Sequence, residues 1–296
     1  FVNYESNFSE IHKRRSRMKE YHDLVRLVMA EGVRKPSRTG VDTISYFSAN
    51  YRVDLSKGFP LLTTKKMQWK SLLHEVLWYL SGEDHIRNLR QHTKIWDAWA
   101  DEEGNLETAY GYYWRKFPSA ELDENGNWQV RQVDQIRYII DEIKRNPYSR
   151  RLIVTAWEPG NATKSKLPPC HYTYAFNVQG NKLNCHLTQR SGDIALGIPF
   201  NLAAYSILTM IIANETGLEP GIFSHTIIDA HIYVADKGTP MEKYDHIEGL
   251  KVQLEREPLA LPTLKIAKKP IDELTFDDFE LVGYQSHPAI KFEVAV

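Results

Sequence analysis

Leu167-Pro168-Pro169-Cys170-His171 opens the stretch whose reading decides the fold. Behind it, residues 172–178 and 182–188 alternate in character and predict two strands joined by the turn Gln179-Gly180-Asn181. The second strand runs into Gln189-Arg190-Ser191-Gly192-Asp193, and Pro199-Phe200-Asn201 opens a helix over residues 199–215. Leu202, Ala203, Tyr205, Ile207, Leu208, Met210, Ile211 and Ile212 make that helix apolar nearly all round, and Gly217 ends it. Such a helix must lie at the centre of a core. Further strand-like runs at 223–228, 232–234 and 264–266 predict an α+β fold, a large mixed sheet flanked by helices with this helix packed on it.

Around that centre the chain reads in order. Residues 8–31 have helical spacing in Tyr21, Leu24, Val25 and Val28, with Gly32 after the last turn. Lys13-Arg14-Arg15 and Arg17 make its first half basic, which reads as a solvated face, with an RNA contact as the sharper alternative. The turn around Arg38 precedes a strand over residues 43–47. Residues 69–80 form a helix with Trp69, Leu72, Leu73, Val76, Leu77 and Leu80 on one face. Glu75 falls off that face between Trp78 and Tyr79. It is either a surface carboxylate or a buried one whose raised pKa suits proton handling. The rings of residues 95–100 and 110–114 pack a core or form a platform for a flat heterocycle. Residues 119–130 read as a polar surface excursion, residues 133–144 as a helix and residues 152–157 as a strand that Arg150 and Arg151 precede. The tail, residues 290–296, reads as extended and unusually apolar.

Composition narrows the classes. With 296 residues, 42% hydrophobic and 25% charged, the chain can bury a large core, and no linker or repeat divides it, so one domain over 1–296 is expected. Lys plus Arg (37) against Asp plus Glu (38) leaves a net charge of −1, which argues against a wholesale nucleic-acid or membrane binder. No apolar run is read as approaching membrane-spanning length, and no secretion signal is evident. Two cysteines give no disulfide framework, and a soluble cytoplasmic protein is expected.

Cys185 shares a face with Leu183 and Leu187 and reads as a core thiol. Cys170 follows two prolines, and the hairpin brings Arg190 beside it, where a positive charge would stabilise a thiolate. A papain-like Cys–His pair is geometrically poor, because Cys170 and His171 are neighbours on a strand and point to opposite faces. No metal-ligand spacing or dinucleotide fingerprint appears, so neither metal nor nucleotide cofactor of that kind is expected.

Ser37-Arg38-Thr39-Gly40, Leu62-Thr63-Thr64-Lys65-Lys66, His74-Glu75-Val76-Leu77-Trp78, Ile95-Trp96-Asp97-Ala98-Trp99-Ala100, Pro169-Cys170-His171, Gln189-Arg190-Ser191, Leu196-Gly197-Ile198-Pro199-Phe200-Asn201 and Asp229-Ala230-His231-Ile232-Tyr233 stand in the order found in one family. The chain resembles the thymidylate synthase family over most of its length. That resemblance implies reductive methylation of dUMP to dTMP with 5,10-methylenetetrahydrofolate, giving dihydrofolate. It implies that Cys170 adds to C6 of dUMP, and that Arg38, Arg190 and Ser191 hold the phosphate. Arg150 and Arg151 would join them from the other subunit of a sheet-to-sheet homodimer. Asn201 would form a pair of hydrogen bonds with the uracil edge, Gln189 would be among the residues that bind dUMP, and His231 and Tyr233 would hold the deoxyribose hydroxyl. Glu75, Tyr110 and His171 would organise water and protons. Lys65, Ile95, Trp96, Trp99, Asp193, Gly197, Phe200, Ala295 and Val296 would form the folate side, with the tail as a lid.

The sequence departs from the family at Glu107-Thr108-Ala109, where many members have Gly-Pro-Val, and at Ile228, where Gly is usual. Both border the expected site. The alternative on the same scaffold is hydroxymethylation of dUMP, as in the phage-type pyrimidine hydroxymethylases. A thiol hydrolase at Cys170 is the weakest reading.

Overall fold

The computed structural model describes residues 17–107, 109–162 and 164–295. Helix α1 (Glu20–Glu31) leads to β1 (Val33–Lys35) and the long β2 (Asp42–Asp54). Then come α2 (Trp69–Ser81), α3 (Tyr110–Lys116), β3 (Phe117–Leu122), β4 (Trp128–Val133), α4 (Gln135–Arg145) and β5 (Ile153–Thr155). The central run is β6 (His171–Gln179), β7 (Lys182–Asp193), α5 (Gly197–Thr216) and β8 (Glu219–Val234), followed by α6 (Ile247–Glu255), β9 (Thr263–Ile266) and β10 (Phe279–Val282).

Six strands form one sheet in the order β1-β2-β8-β7-β6-β5. Only β7 and β8 run parallel, and they are the pair joined through a helix. A parallel pair needs a crossover connection, and α5 supplies it. The β6–β7 hairpin closes on Gly180-Asn181, with Gly180 at φ +61° and Gln179 paired to Lys182. A two-residue hairpin loop demands such a left-handed residue, so the turn sets the register of both strands. The mixed sheet flanked by helices matches the expected fold class.

Helix α5 buries Leu202, Ala203, Tyr205, Ile207, Leu208, Ile211 and Ile212 and lies against the sheet and α2. Its length and hydropathy are those of a membrane span, contrary to the sequence expectation that no run comes close. Here the apolar surface is covered by protein, and Gly217 in the left-handed conformation (φ +72°) stops the helix. Helix α2 ends the same way at Gly82, and Asp134 caps α4 by accepting from the Arg137 N–H at 2.9 Å.

Several boundaries differ from the sequence reading. Helix α1 begins at Glu20 with residues 17–19 irregular, and residues 1–16, including Lys13-Arg14-Arg15, lie outside the described residues. The excursion at 119–130 is the β3–β4 hairpin, a sheet of its own whose Trp128 and Val130 are exposed, so no burial pattern betrays its strands. The two short runs at 223–228 and 232–234 are one strand of 16 residues. The tail forms no strand among its described residues. It crosses the surface irregularly and buries Phe292.

Gly111 is where α3 meets α2, and a methyl group there would overlap the Tyr79 backbone. Replacing Gly111 with Ala should therefore cost about 1–3 kcal/mol of overpacking strain in chemical denaturation. Unchanged stability would show that α3 can shift away from α2.

Candidate active site

Cys170 is placed by the entry to β6. Pro168 and Pro169 stiffen the approach, and Arg190 on β7 holds both of their carbonyls, donating from Nη2 to Pro168 at 2.7 Å and from Nε to Pro169 at 2.9 Å. The Arg190 backbone N–H donates to Cys170 at 2.8 Å, and the Cys170 N–H to the Tyr110 hydroxyl at 2.7 Å. The ladder slips between His171 and Thr173, a bulge at the edge of the site that re-aims the side chains before it. Cys170 is half-buried. Burial pushes its thiol up, while Arg190 and then Arg38 pull it down. The hairpin sets Arg190 beside Cys170 through that backbone bond, and the charges of Arg190 and of Arg38, on its exposed loop, offset only part of the effect of burial on the thiol.

Cys185 is fully enclosed, and burial pushes its thiol to about 12. His171 is engaged elsewhere in the core. It stacks on Tyr110 at 3.6 Å and pairs with the Tyr205 hydroxyl at 2.7 Å, and burial pushes its imidazole down to about 3. A Cys170–His171 hydrolase pair has no support in this geometry.

Glu75 is buried, the sharper of its two readings. Its Oε1 accepts from the Tyr79 hydroxyl at 2.6 Å and from Trp96 Nε1 at 2.7 Å. Burial raises its pKa, and those two hydrogen bonds offset only part of the effect. Tyr79, Tyr110, Trp96 and Trp99 close a box of rings beside it, with Trp96 and Trp99 edge to face at 5.8 Å.

Asn201 sits one turn into α5. Its Oδ1 accepts from Gln189 Nε2 at 3.0 Å, and Gln189 Nε2 also donates to the Ser191 carbonyl at 2.9 Å. Gly197 leaves the space between Asn201 and Asp193 open: a methyl there would lie 3.8 Å from Asn201 Oδ1 and 3.9 Å from the Asp193 β-carbon. Asp193 accepts from the Ala195 N–H at 2.9 Å. Burial pushes the Asp193 carboxyl up, but His246 and His231 more than offset this and hold it below the usual range. Across the parallel register Asp193 faces His231, which lies 5.3 Å from the Tyr233 ring.

Lys65 is buried rather than reaching into solvent. Its Nζ donates to the Ala195 carbonyl at 2.5 Å and lies 4.9 Å from the Phe292 ring, and burial lowers its pKa to about 8. Phe200 is half-buried against the core, Ile95 is 38% exposed, Ala295 is half-buried and Val296 lies outside the described residues. Arg150 and Arg151 do not join this cluster. They line a separate cleft with Glu142, Arg145 and Ser149. Arg17, from the basic run, is exposed and paired with Glu257 at 2.9 Å.

The sequence reading missed His246, which donates from Nε2 to the Glu293 carbonyl at 2.9 Å and turns Nδ1 toward Asp193 at 3.7 Å. It thereby ties the tail to the site. Tyr79 was also missed as a partner of Glu75, although the i, i+4 spacing on α2 was legible.

The family model described as thymidylate synthase matches residues 19–296. The chain belongs to the thymidylate synthase family. A thymidylate synthase from Haloferax volcanii is 48% identical to it, over 92% of this chain and 95% of that protein.

Iodoacetamide should label Cys170 and spare Cys185 in the native protein. Replacing Arg190 with Ala removes the leading cation, raises the Cys170 pKa further and should slow labelling several-fold at neutral pH. Peptide mass spectrometry reads both sites, and equal labelling of the two thiols would contradict the geometry.

Proposed function

We propose that this chain converts dUMP to dTMP by reductive methylation with 5,10-methylenetetrahydrofolate, starting with attack of Cys170 on C6 of the uracil ring. The observation that carries the reading is a half-buried thiol flanked by Arg190 and Arg38, with an oriented carboxamide on a rigid core helix nearby. The Sγ–C6 bond moves the ring's electron pair toward C5 and O4, which makes C5 nucleophilic. Arg190 keeps donors free after binding the two proline carbonyls, and with Arg38 and Ser191 it suits a phosphate. The Asn201 Oδ1 can accept from N3–H of uracil while Nδ2 donates to O4. His231 and Tyr233 would take the sugar hydroxyl. Glu75, held in its box of rings, is suited to passing protons through water to the base.

The residues present fit a folate. The Asp193 carboxylate can accept from a pterin's N–H groups, Trp96 and Trp99 offer flat faces, and the apolar tail with Phe292 covers that side. When bound, the folate supplies the one-carbon unit and the hydride. The chain's own contribution is to orient both molecules and to keep water away from the reacting carbon.

Arg150 and Arg151 are assigned to a second subunit's phosphate site. Their place in a cleft that Cys170 does not line, and the exposed Phe47 and Ile153 on strands of the large sheet, support a homodimer joined sheet to sheet.

Incubation with dUMP and methylenetetrahydrofolate should yield dTMP and dihydrofolate. A hydroxymethyl product without dihydrofolate absorbance would move the reaction to hydration. Cys170→Ser should lower turnover by about 10⁴-fold or more, the scale of losing a covalent nucleophile, while dUMP still binds. Cys170→Ser and the double variant Arg150→Ala/Arg151→Ala should each be nearly inactive, yet regain turnover when unfolded and refolded together. A mixture that stays inactive would place the two arginines outside the partner's site.

A further inference from the structure

The two ends of a carboxamide have almost the same shape, so the Asn201 side chain cannot by itself decide which atom faces the base. Its orientation is imposed from behind. We propose that Tyr51 and His225 set the pyrimidine specificity of this site, acting through Gln189 as positioning residues that hold the Asn201 amide in the orientation complementary to uracil. This inference rests on the dUMP reading above.

The polarity can be followed atom by atom. Ser191 presents a backbone carbonyl, which can only accept, so the Gln189 atom 2.9 Å from it is the amide nitrogen. The same nitrogen lies 3.0 Å from Asn201, so the Asn201 atom it meets is Oδ1. Gln189 Oε1 is thereby turned toward His225 Nε2 at 3.0 Å, and that ring nitrogen must carry a proton. Burial pushes the His225 imidazole down to about 3, so the ring is neutral and its Nδ1 is bare. A bare Nδ1 needs a donor, and the Tyr51 hydroxyl stands 2.8 Å away. Every group in the line has one role left to it.

The relay crosses three adjacent strands. Tyr51 on β2 is in register with His225 on β8, and Gln189 follows on β7 before the line reaches the start of α5. Tyr51, His225 and Gln189 are all buried, with His225 fully enclosed and Phe223 and Tyr51 against its ring. Reversing any one amide would set two donors or two acceptors face to face, a mismatch that is costly beside the fully enclosed His225. The end of the line is Asn201 Nδ2, which makes no hydrogen bond among the described residues. It is left to donate to O4 of uracil. Cytosine presents N4 donors at that place and an acceptor at N3, so it meets the amide with both roles wrong.

Nitrogen NMR of the His225 ring and binding of two nucleotides test this together. In the wild-type protein the ring should show the neutral Nε2–H form from neutral pH down to about pH 5, as expected for a buried imidazole. Tyr51→Phe keeps the ring and removes only the hydroxyl. It should lower the ratio of dUMP to dCMP affinity about tenfold, the scale of one buried hydrogen bond, with Cys170 labelling retained. An Nδ1–H tautomer overturns the proposal, and this measurement stands even where Tyr51→Phe fails to fold. A wild-type ratio in folded Tyr51→Phe also overturns it, while leaving the dUMP reading intact. Wild-type protein that shows the Nε2–H form but binds no dUMP overturns that reading, and the specificity role with it.

Discussion

Arg190 donates from its side chain to the carbonyls of Pro168 and Pro169 and from its backbone to Cys170, so one residue fixes the position of the sulfur and the charge it feels. Proline has no N–H, and two in succession leave that approach without donors of its own. The carbonyls must be satisfied from outside, and the strand that follows the hairpin is what arrives. The hairpin loop at Gly180-Asn181 counts out the register, and the slip at residues 171–173 adjusts it by one residue at the site. The reactive geometry therefore depends on a turn some ten residues away. A guanidinium has five donors, and two are spent on the prolines. The others stay available to an anion, which is how the same group can serve both scaffold and ligand.

The opposite wall of the site is built on two buried helices. Helix α2 presents Glu75 and Tyr79 one turn apart, and α5 presents Asn201 and Gly197 at its start. Both helices have their apolar surfaces committed to the core, so neither can rotate without losing burial worth more than any single polar contact. The polar groups are held by packing they do not themselves provide. The Gly111 contact between α3 and α2 does the same for Tyr110, which reaches from α3 to the Cys170 N–H.

Much of this was legible in the chain. The period of residues 69–80 gave α2, the all-round apolarity of 199–215 gave the central helix, and the place of Cys170 beyond two prolines and opposite Arg190 separated it from Cys185. Local pattern could not tell that Glu75 is buried, because both readings share one helical wheel; one of its two hydrogen-bond partners, Trp96, lies 21 residues away. The β3–β4 strands were missed because both faces of β4 are exposed, and alternation appears only when one face is buried. His246 and His225 carried no signal. Each gains its role from partners brought by distant elements, and a lone histidine among apolar residues looks like any core residue. Arg150 and Arg151 line a cleft that Cys170 does not share, and no feature of a single sequence shows that placement.

The site also sorts its titratable groups by partner. His171 and His225 face hydroxyl and amide groups inside the core, and burial, joined at His225 by the nearby His171 and His186, keeps them neutral. His246 is buried too, yet its Nε2 faces the Glu293 carbonyl and its Nδ1 faces the Asp193 carboxylate, so both nitrogens meet acceptors and its pKa is raised instead. A neutral ring would leave one bare nitrogen opposed to an acceptor, and an imidazolium suits both. Its charge helps hold Asp193 ionised. The same ring packs against Phe292 at 5.1 Å, and Lys65 lies on that phenyl group as well. Seating the tail and keeping Asp193 charged are thus one arrangement: without Phe292 and the Glu293 carbonyl, His246 would be exposed to water and lose an acceptor.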